Sequence, residues 1–324
     1  MKTGAVIVTW NSAGVLRRCV EAARSAVERV VVVDNASGDA SVEVARGVAG
    51  VEVIENRANR GFAGAVNQGF AALEDCEAVL VLNPDAEVVG GVEALVEELV
   101  LRPDVGVAAG ALVDEAGVPQ SGFSVRRFPS AAVLAFELLG LNRLWPGNPV
   151  NRRYRCLDFD FSEAADVEQP AGAFLLVRRE AWMRVGGFDE GFHPLWFEDV
   201  DFLKRMRGAG YGTRYLPGAR ARHAGADSIG QLEWGARQLY WCGSLLRYTV
   251  RHFRLPEVVV VAGAVILGSM PRAVTGMIRR RSIQPLGVYG QVVRLTLGCL
   301  RTGRSQSGGA PVEARCADDV RSRM

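Results

Sequence analysis

The chain has 324 residues, of which 49% are hydrophobic, and its formal net charge is +2. This length suits one large domain, alone or with an appendage, and the apolar content is enough to build a sizeable core. Because the charges nearly balance, composition gives no reason to expect nucleic acid as a partner. The six cysteines form no C-x-x-C pair, which excludes the usual zinc spacing and favours reduced thiols in a cytoplasmic protein.

Short apolar runs alternate with helical patterns through the first third of the chain, which enters a strand at once and therefore shows no leader peptide. The predicted strands are Ala5–Thr9, Arg29–Val33, Val51–Ile54, Ala78–Leu82 and Val105–Ala109. Helices are predicted over 62–73 and 92–101, and Asn11 and Ser12 are expected to cap the first helix. Apolar strands separated by helices predict a parallel sheet covered on both faces, with ligands bound beyond the carboxyl ends of its strands.

The remaining pattern is less regular. Residues 111–168 read as a long insertion or lid to which the sequence assigns no role. Beyond it, strands are predicted at Ala173–Val177 and Gly212–Leu216, and helices at Asp199–Arg207 and over 231–253. The tail after Arg301 is rich in Ser, Gly and Arg and is expected to be disordered.

The apolar run Val258–Met270 has two interpretations. Pro256 and Pro271 bound it, which leaves it shorter than the roughly 17–25 residues of a transmembrane helix. Basic residues stand on both sides, so a helix lying in the membrane interface is one interpretation. A buried core helix is the other, and the sequence does not choose between them.

Four polar clusters follow predicted strands or open a helix. Asp34 is placed to bind a nucleoside or to form an Asx-turn. Asp85 is suited to a divalent cation, since Mg²⁺ and Mn²⁺ prefer oxygen ligands, and it equally suits a polar turn. Glu198 and Asp199 open a helix, where either a catalytic base or ordinary capping explains them. His223 follows a strand and suits a metal ligand or a structural imidazole.

The order and spacing of these clusters resemble glycosyltransferase family 2 over about residues 4–226. The matching segments are Val8–Asn11, Val33–Asp39, Asn59–Gly69, Leu82–Asp85, Gly172–Phe174, Gly186–Glu190 and Phe197–Asp201. The resemblance implies a GT-A type α/β fold, in which a Rossmann-like, mostly parallel sheet is flanked by helices. The chain then divides into a catalytic domain at 1–226, a helical extension at 227–301, which associates with a membrane under one of the two interpretations above, and a tail at 302–324. Within the catalytic domain, the nucleotide-binding half covers about 1–110 and the acceptor half about 170–226.

The resemblance also implies site roles. Nucleotide-sugar contacts are implied for Thr9, Asn11, Asp34, Asn59, Gly61, Asn67, Asn83 and Asp85. Asp85 and His223 would hold Mg²⁺ or Mn²⁺. Asp199 would be the catalytic base, with Glu198 the second choice. Trp196 would stack on an acceptor sugar, although a core aromatic explains it as well. Asn83 replaces the first carboxylate of the family's D-x-D motif, which removes one charge from the metal site.

The implied reaction is an inverting transfer from a nucleotide sugar to a saccharide or polyprenyl-linked acceptor. Within the family the chain looks most like bacterial rhamnosyltransferases of cell-surface polysaccharides, so the expected donor is dTDP-rhamnose. The expected location is the cytoplasm, at the inner face of the membrane.

Three rival classes were weighed against this function. A dehydrogenase would need G-x-G-x-x-G after the first strand, where this chain has Thr9–Gly14. A sugar-phosphate nucleotidyltransferase would need a basic Gly-rich loop at the same place. A non-catalytic sugar-binding module would not need Asp85, Asp199 and His223 together.

Overall fold

The computed structural model describes residues 1–225 and 230–303, and the chain forms two compact units. The sheet unit contains Met1–Phe128, Arg155–Glu190 and Glu198–Gln231. The helical unit contains Pro129–Tyr154, Gly191–Phe197 and the described residues from Leu232 onward. The predicted domain boundaries therefore differ from these units, because part of the irregular middle segment groups with the C-terminal helices. As a division into functional domains, those boundaries stay a prediction.

The sheet unit alternates strands and helices along its first half. In chain order these are β1 (Thr3–Thr9), α1 (Ala13–Ala26), β2 (Arg29–Asp34), α2 (Ser41–Arg46), β3 (Val51–Glu55), α3 (Gly61–Ala72), β4 (Ala78–Leu82), β5 (Ala86–Gly90), α4 (Val92–Leu101) and β6 (Val105–Val113). The later elements are β7 (Val125–Arg126), β8 (Ala165–Asp166), β9 (Gln169–Pro170), β10 (Phe174–Arg178), α8 (Arg179–Val185), α9 (Glu198–Gly208) and β11 (Gly212–His223). Each strand predicted from the sequence is present, but β6 continues to Val113 and β11 to His223, beyond their predicted ends at Ala109 and Leu216.

Nine described strands form one mostly parallel sheet in the order β3-β2-β1-β4-β10-β6-β11-β5, with β8 paired to β11. β10 runs antiparallel to both β4 and β6, so those two strands point the same way and their carboxyl ends lie at one edge. β7 and β9 form a separate two-stranded ribbon. The predicted α/β architecture with a mostly parallel sheet and C-terminal helices is confirmed.

The core lies on both faces of the sheet because strand side chains alternate between faces. Ala5 and Ile7 of β1 pack in one cluster with the buried residues of α1 and α4. Val6 and Val8 pack in the other with α3, α8 and α9. Helices therefore cover both faces and leave the carboxyl edge to the loops.

The cap of α1 is not the one that the sequence predicts. Ser12 lies at the N-cap position, but its hydroxyl donates to the carbonyl of Trp10 at 3.2 Å and accepts no helix N–H. The carboxylate of Asp39 accepts the N–H of Ala13 at 3.0 Å instead. The capping group thus comes from the loop after β2 and ties that loop to the loop after β1.

The helical unit contains α5 (Ala131–Leu138), α6 (Leu141–Leu144), α7 (Pro149–Tyr154) and three longer helices. These are Trp234–His252, Leu255–Arg280 and Gln284–Gly303. The helix Leu255–Arg280 is called the long helix below. Pro271 bounds the apolar run in the sequence but does not end the helix: the long helix continues through this proline and has 26 residues in all. Of the predicted disordered tail, residues 304–324 lie outside the described residues.

The long helix has one buried and one exposed side. Val261, Ala262 and Val265 are buried, whereas Leu267 and Met270 are 68% and 75% exposed. Among the described residues it is the one helix whose length and composition would suffice to cross a membrane, and 39% of its most apolar window is buried. It is therefore neither a fully buried core helix nor an isolated apolar segment.

Candidate active site

Two buried polar atoms without hydrogen-bond partners in the described chain lie at the ends of β1 and β2. Thr9 and Asp34 are neighbours in the parallel register, and both side chains are buried. Thr9 Oγ1 and Asp34 Oδ1 have no hydrogen-bond partner among the described residues. A buried polar atom without a partner costs free energy, so this position suits a ligand with hydroxyl or N–H groups, such as a nucleoside.

The second oxygen of Asp34 organises the loop around that position. Asp34 Oδ2 accepts the N–H of Ser37 at 3.0 Å. Asn11 ties the neighbouring loop to it, because its Oδ1 accepts the N–H of Gly38 at 2.7 Å and its own N–H donates to Ser37 Oγ at 2.9 Å. The Asx-turn and the nucleoside site are therefore compatible, since they use different oxygens of one carboxylate.

Asn59 and Gly61 shape the start of α3. Asn59 Oδ1 accepts the N–H of Gly61 at 2.8 Å, and Gly61 has a φ of 75°, which favours glycine. Asn35, which the sequence analysis did not single out, accepts the N–H of Arg60 at 3.1 Å and donates to the carbonyl of Gly61 at 3.0 Å. These contacts hold the loop in place. Direct contact of Asn59 or Gly61 with a nucleotide sugar stays a prediction.

Asn67 holds the turn that follows α8. Its amide donates to the carbonyl of Phe188 and to Glu190 Oε1, both at 3.0 Å, and accepts the N–H of Phe188 at 3.0 Å. Gly187 has a φ of 70°, and a Cβ there would lie 2.9 Å from Asn67 Oδ1. The structure thus gives Asn67 a positioning contact, and its predicted role as a donor-binding residue stays a prediction.

Asp85 and His223 meet at the ends of β4 and β11. His223 Nε2 lies 3.6 Å from Asp85 Oδ1, and both side chains are buried. Gln120 Nε2 donates to the His223 carbonyl at 2.7 Å, which directs its Oε1 to His223 Nδ1 at 3.2 Å. Nδ1 then carries the ring proton, because Gln120 Oε1 can only accept. Burial lowers the pKa of His223, against the opposing effect of the Asp85 carboxylate.

Two hydrogen-bond acceptors, His223 Nε2 and Asp85 Oδ1, face each other here. A neutral imidazole with its proton on Nδ1 presents Nε2 as an acceptor, and it faces a carboxylate oxygen, which also only accepts. A cation is the group that satisfies both atoms. The residues present therefore fit a divalent ion, although the described part of the chain holds no cluster of three or more His, Cys, Asp or Glu ligands. Asn83 is half-buried, and its backbone bonds to Ala173 and Ala86.

Glu198 and Asp199 open α9 in different environments. Glu198 is buried, its Oε2 has no partner among the described residues, and desolvation with the charge of Asp199 raises its pKa well above the ordinary value. Asp199 is half-buried and accepts the N–H of Gly172 at 3.1 Å and of Val200 at 2.8 Å. Desolvation raises the pKa of Asp199 as well, but Arg126 and these N–H groups oppose it. Asp199 is therefore the carboxyl that keeps the charge when the pair holds one proton.

Arg126, on β7, was not found from the sequence. Its guanidinium lies 5.4 Å from the centre of the Phe123 ring, which itself stacks on His223 at 5.4 Å. Residues 120–126 therefore supply Gln120 to the imidazole and the Arg126 charge to Asp199. This stretch belongs to the irregular segment without an assigned role. The one available signal was a run of polar and aromatic residues between two strands, which does not specify partners.

Comparison with known proteins agrees with this geometry. Residues 5–153 match the model of glycosyl transferase family 2. The chain is 32% identical, over 241 residues covering 70% of it and 77% of the relative, to N-acetylglucosaminyl-diphospho-decaprenol L-rhamnosyltransferase of Mycobacterium tuberculosis. The chain belongs to glycosyltransferase family 2. It is also 34% identical over 104 residues, 31% of the chain and 34% of the relative, to rhamnosyltransferase WbbL of Escherichia coli.

The fold of this glycosyltransferase is shared with a solved structure of low sequence identity. The crystal structure of GalNAc-T7 with UDP, GalNAc and Mn²⁺ superimposes with a TM-score of 0.53 at 16% identity. The match covers 69% of the present chain and 44% of that one, so the chain spans less than half of that protein. This likeness supports the fold alone.

Trp196 is the predicted site residue that lies in the other unit of the glycosyltransferase. Trp196 is half-buried and has a φ of 75°. The next residue, Phe197, has a φ of 68°. Two successive bulky residues in the left-handed region are unusual and cost free energy. They directly precede the pair of carboxyls at the start of α9. The role of Trp196 as a stacking platform stays a prediction.

We expect Asn67→Ala to lower the free energy of unfolding by about 1–3 kcal/mol, because it leaves both backbone groups of Phe188 without their partner. Gln68→Ala, one residue along the same helix, is the control, since among the described residues the amide of Gln68 bonds with the side chain of Asn56 and with no backbone group. Urea unfolding of both variants measures the difference. A variant at Asn67 that is as stable as the parent chain but no longer binds donor would instead make Asn67 a donor contact.

Proposed function

We propose that this glycosyltransferase is a metal-dependent, inverting enzyme that moves L-rhamnose from dTDP-rhamnose to a lipid-linked saccharide. The observation that carries the proposal is the Asp85–His223 pair, a cation site at the same sheet edge as Thr9 and Asp34. The sugar and the acceptor are taken from the names of the two rhamnosyltransferases to which the chain is similar. The GalNAc-T7 structure with Mn²⁺ is consistent with a divalent ion.

The reaction needs three tasks from the chain. Thr9 and Asp34 bind the nucleoside, and Asp85 with His223 holds the cation. When bound, that ion offsets the negative charge that grows on the diphosphate leaving group. Asp199 accepts the proton of the acceptor hydroxyl while its oxygen bonds to the anomeric carbon and the bond from that carbon to the diphosphate oxygen breaks. One displacement inverts the anomeric centre, so no nucleophile of the enzyme is needed.

Asp199 is assigned as the base because of its charge state. A base must be ionised before the acceptor binds, and a pKa somewhat above the ordinary value strengthens it. Burial and the neighbouring charge raise the pKa of Glu198 well above its ordinary value, whereas Arg126 and two backbone N–H groups limit the rise in the pKa of Asp199, so Asp199 is the better candidate for the ionised member of the pair. Glu198 therefore takes a supporting place next to the reacting group.

The direct test is release of nucleotide from a panel of nucleotide sugars, with and without a prenyl-diphosphate saccharide acceptor. We expect acceptor-dependent release from dTDP-rhamnose above all other donors. Anomeric analysis of the product by NMR should show the opposite configuration to the donor. If only a different nucleotide sugar serves as donor, the assignment of dTDP-rhamnose is overturned. If the product keeps the configuration of the donor, the inverting mechanism is overturned.

Removal of the metal should abolish transfer. We expect EDTA to stop nucleotide release and added Mg²⁺ or Mn²⁺ to restore it, because without the ion the anionic Asp85 and the neutral His223 supply no positive charge to offset that of the diphosphate. His223→Ala should raise the concentration of metal needed for half-maximal rate. Undiminished transfer in excess chelator would show that the Asp85–His223 pair has another role.

Asp199→Asn should lower turnover by on the order of 10²–10⁴, the range expected when a general base is lost. Donor affinity should stay nearly unchanged, because the donor contacts lie at Asp34 and Asp85. The matched variant is Glu198→Gln, which should cost less because the protonated acid and the amide have similar shape and charge.

Turnover and donor titration on both variants, each checked for folding, give the comparison. Normal turnover of Asp199→Asn with an inactive Glu198→Gln would reverse the assignment. If both variants remain active, the base lies elsewhere in the protein.

We also propose that the helical unit attaches to the surface of an anionic membrane from the cytoplasmic side. The exposed apolar side chains of the long helix lie along one side of it at helical spacing: Leu255, Val259, Val260, Leu267, Met270, Val274 and Ile278. Arginines stand at both ends of the helix, at Arg254 and over 279–281. An apolar stripe with basic ends suits burial in the interface of a bilayer with anionic headgroups. The opposite side of the helix is buried against protein, which argues against a membrane span.

The membrane proposal predicts salt-sensitive binding to vesicles that contain anionic lipid. We expect Leu267→Glu with Met270→Glu to reduce co-sedimentation at least tenfold, because each side chain would otherwise bury apolar surface worth about 1.5–3 kcal/mol. Leu101→Glu is the matched control, since Leu101 is 69% exposed but lies in the sheet unit. Equal binding of all three proteins, or no binding by the parent chain, would count against attachment through the long helix.

A further inference from the structure

A cavity of about 640 Å³ lies in the sheet unit, apart from the nucleoside position at Thr9 and Asp34. Its walls come from β7 with Arg127, from residues between 156 and 168, from Arg102 and Asp104, and from residues between 207 and 213. Residues Asp104, Gly212 and Thr213 place part of it at the amino ends of β6 and β11. This volume falls within the range of small-molecule sites, and the nucleotide-binding residues do not line it.

The cavity contains more positive than negative charge. Arg102, Arg126, Arg127 and Arg207 line it, together with Asp104, Asp166 and Glu168. The three carboxylates are already paired. Arg102 lies 2.7 Å from Asp104 and 3.3 Å from Asp166, and Arg207 lies 3.2 Å from Glu168.

Within the described chain neither Arg126 nor Arg127 forms a salt bridge. Arg127 hydrogen-bonds the Cys156 thiol, and Arg126 Nε is buried without a hydrogen-bond partner. Guanidinium groups bind phosphate oxygens in a two-pronged geometry. The chemistry of the cavity therefore matches a ligand that carries phosphate, and Val167, Phe159 and Tyr211 add apolar walls for the carbon chain next to it.

The cavity is connected to the reacting carboxyl through the β7–β9 ribbon. Arg126 pairs with Gln169 in this ribbon. Three residues beyond Gln169, the N–H of Gly172 donates to Asp199. The charge of Arg126 acts on Asp199, while the same residue lines the cavity. A phosphate group bound to Arg126 would therefore lie beside the residue whose charge acts on Asp199.

We propose that this cavity binds the diphosphate group of a lipid-linked saccharide acceptor, with Arg126 as the principal contact and Arg127 at the rim. The inference rests on the proposed function, because it assumes that the acceptor carries a diphosphate next to the sugar that is glycosylated. It assigns acceptor and donor to separate sites that meet at Asp199.

The test is a binding measurement that needs no turnover. Calorimetric titration compares N-acetylglucosaminyl diphosphate carrying a geranyl chain with the neutral octyl N-acetylglucosaminide. We expect Arg126→Gln to weaken binding of the diphosphate probe roughly 10–100-fold, as expected for loss of a charged hydrogen bond, and Arg127→Gln to weaken it less. Arg126→Lys should bind the diphosphate probe more tightly than Arg126→Gln and less tightly than the parent chain, because lysine keeps the positive charge but cannot make the two-pronged contact of a guanidinium.

The control is Arg184→Gln, which changes an exposed arginine on α8 and should bind both probes as the parent chain does. Circular dichroism shows whether each variant is folded. The inference is overturned if Arg126→Gln and Arg127→Gln bind the diphosphate probe normally, if they weaken both probes equally, or if the parent chain binds neither probe. Lack of transfer from every donor would contradict the proposed function, but it would leave this binding result in force.

Discussion

Under the proposed function, the site depends on keeping the Asp199 carboxylate charged although it is partly buried. Moving a carboxylate out of water costs several kcal/mol unless hydrogen bonds and opposite charge replace the lost hydration. For Asp199, the N–H of Gly172 supplies such a hydrogen bond and Arg126 supplies the opposite charge. A Cβ at Gly172 would lie 3.0 Å from Asp199 Cβ, so a larger residue there would require Asp199 to shift. The β7–β9 ribbon that carries Arg126 is therefore part of the chemistry, although it contains no reacting group.

The sequence predicts the parts of this arrangement that are local. Strands β1, β2 and β4 are continuous apolar runs, and the polar residues at their ends, such as Asp34 and Asp85, follow directly from that pattern. Pro271 bounds the apolar run in the sequence but does not end the long helix. A proline within a helix costs about 3 kcal/mol, and the packing of one side of a long helix can offset this cost. Arg126 and Gln120 were missed because their partners, Asp199 and His223, lie 73 and 103 residues further along the chain. No local periodicity encodes such pairs.

Several residues that mark the family build the site and do not themselves point at a ligand. Asn67 holds Phe188, and Arg205 donates to the carbonyls of Val185 at 2.6 Å and Gly187 at 2.8 Å while it pairs with buried Asp201 at 2.7 Å. The turn after α8 is thus fixed from both sides. Since removing one partner of a buried ion pair is strongly destabilising, a recognisable motif of this kind reports the constraints of folding as much as those of catalysis.

The replacement of a carboxylate by Asn83 changes how the cation and the donor depend on each other. The chain supplies one carboxylate and one neutral imidazole, so its own ligands carry a single negative charge toward a divalent ion. Under the proposed function, the diphosphate of the donor supplies the remaining charge and oxygen ligands, as is usual for Mg²⁺ at phosphate sites. Each ligand then raises the affinity for the other by the same factor. A second carboxylate at position 83 would hold the ion more tightly without donor, and it would weaken this coupling between the ion and the nucleotide sugar.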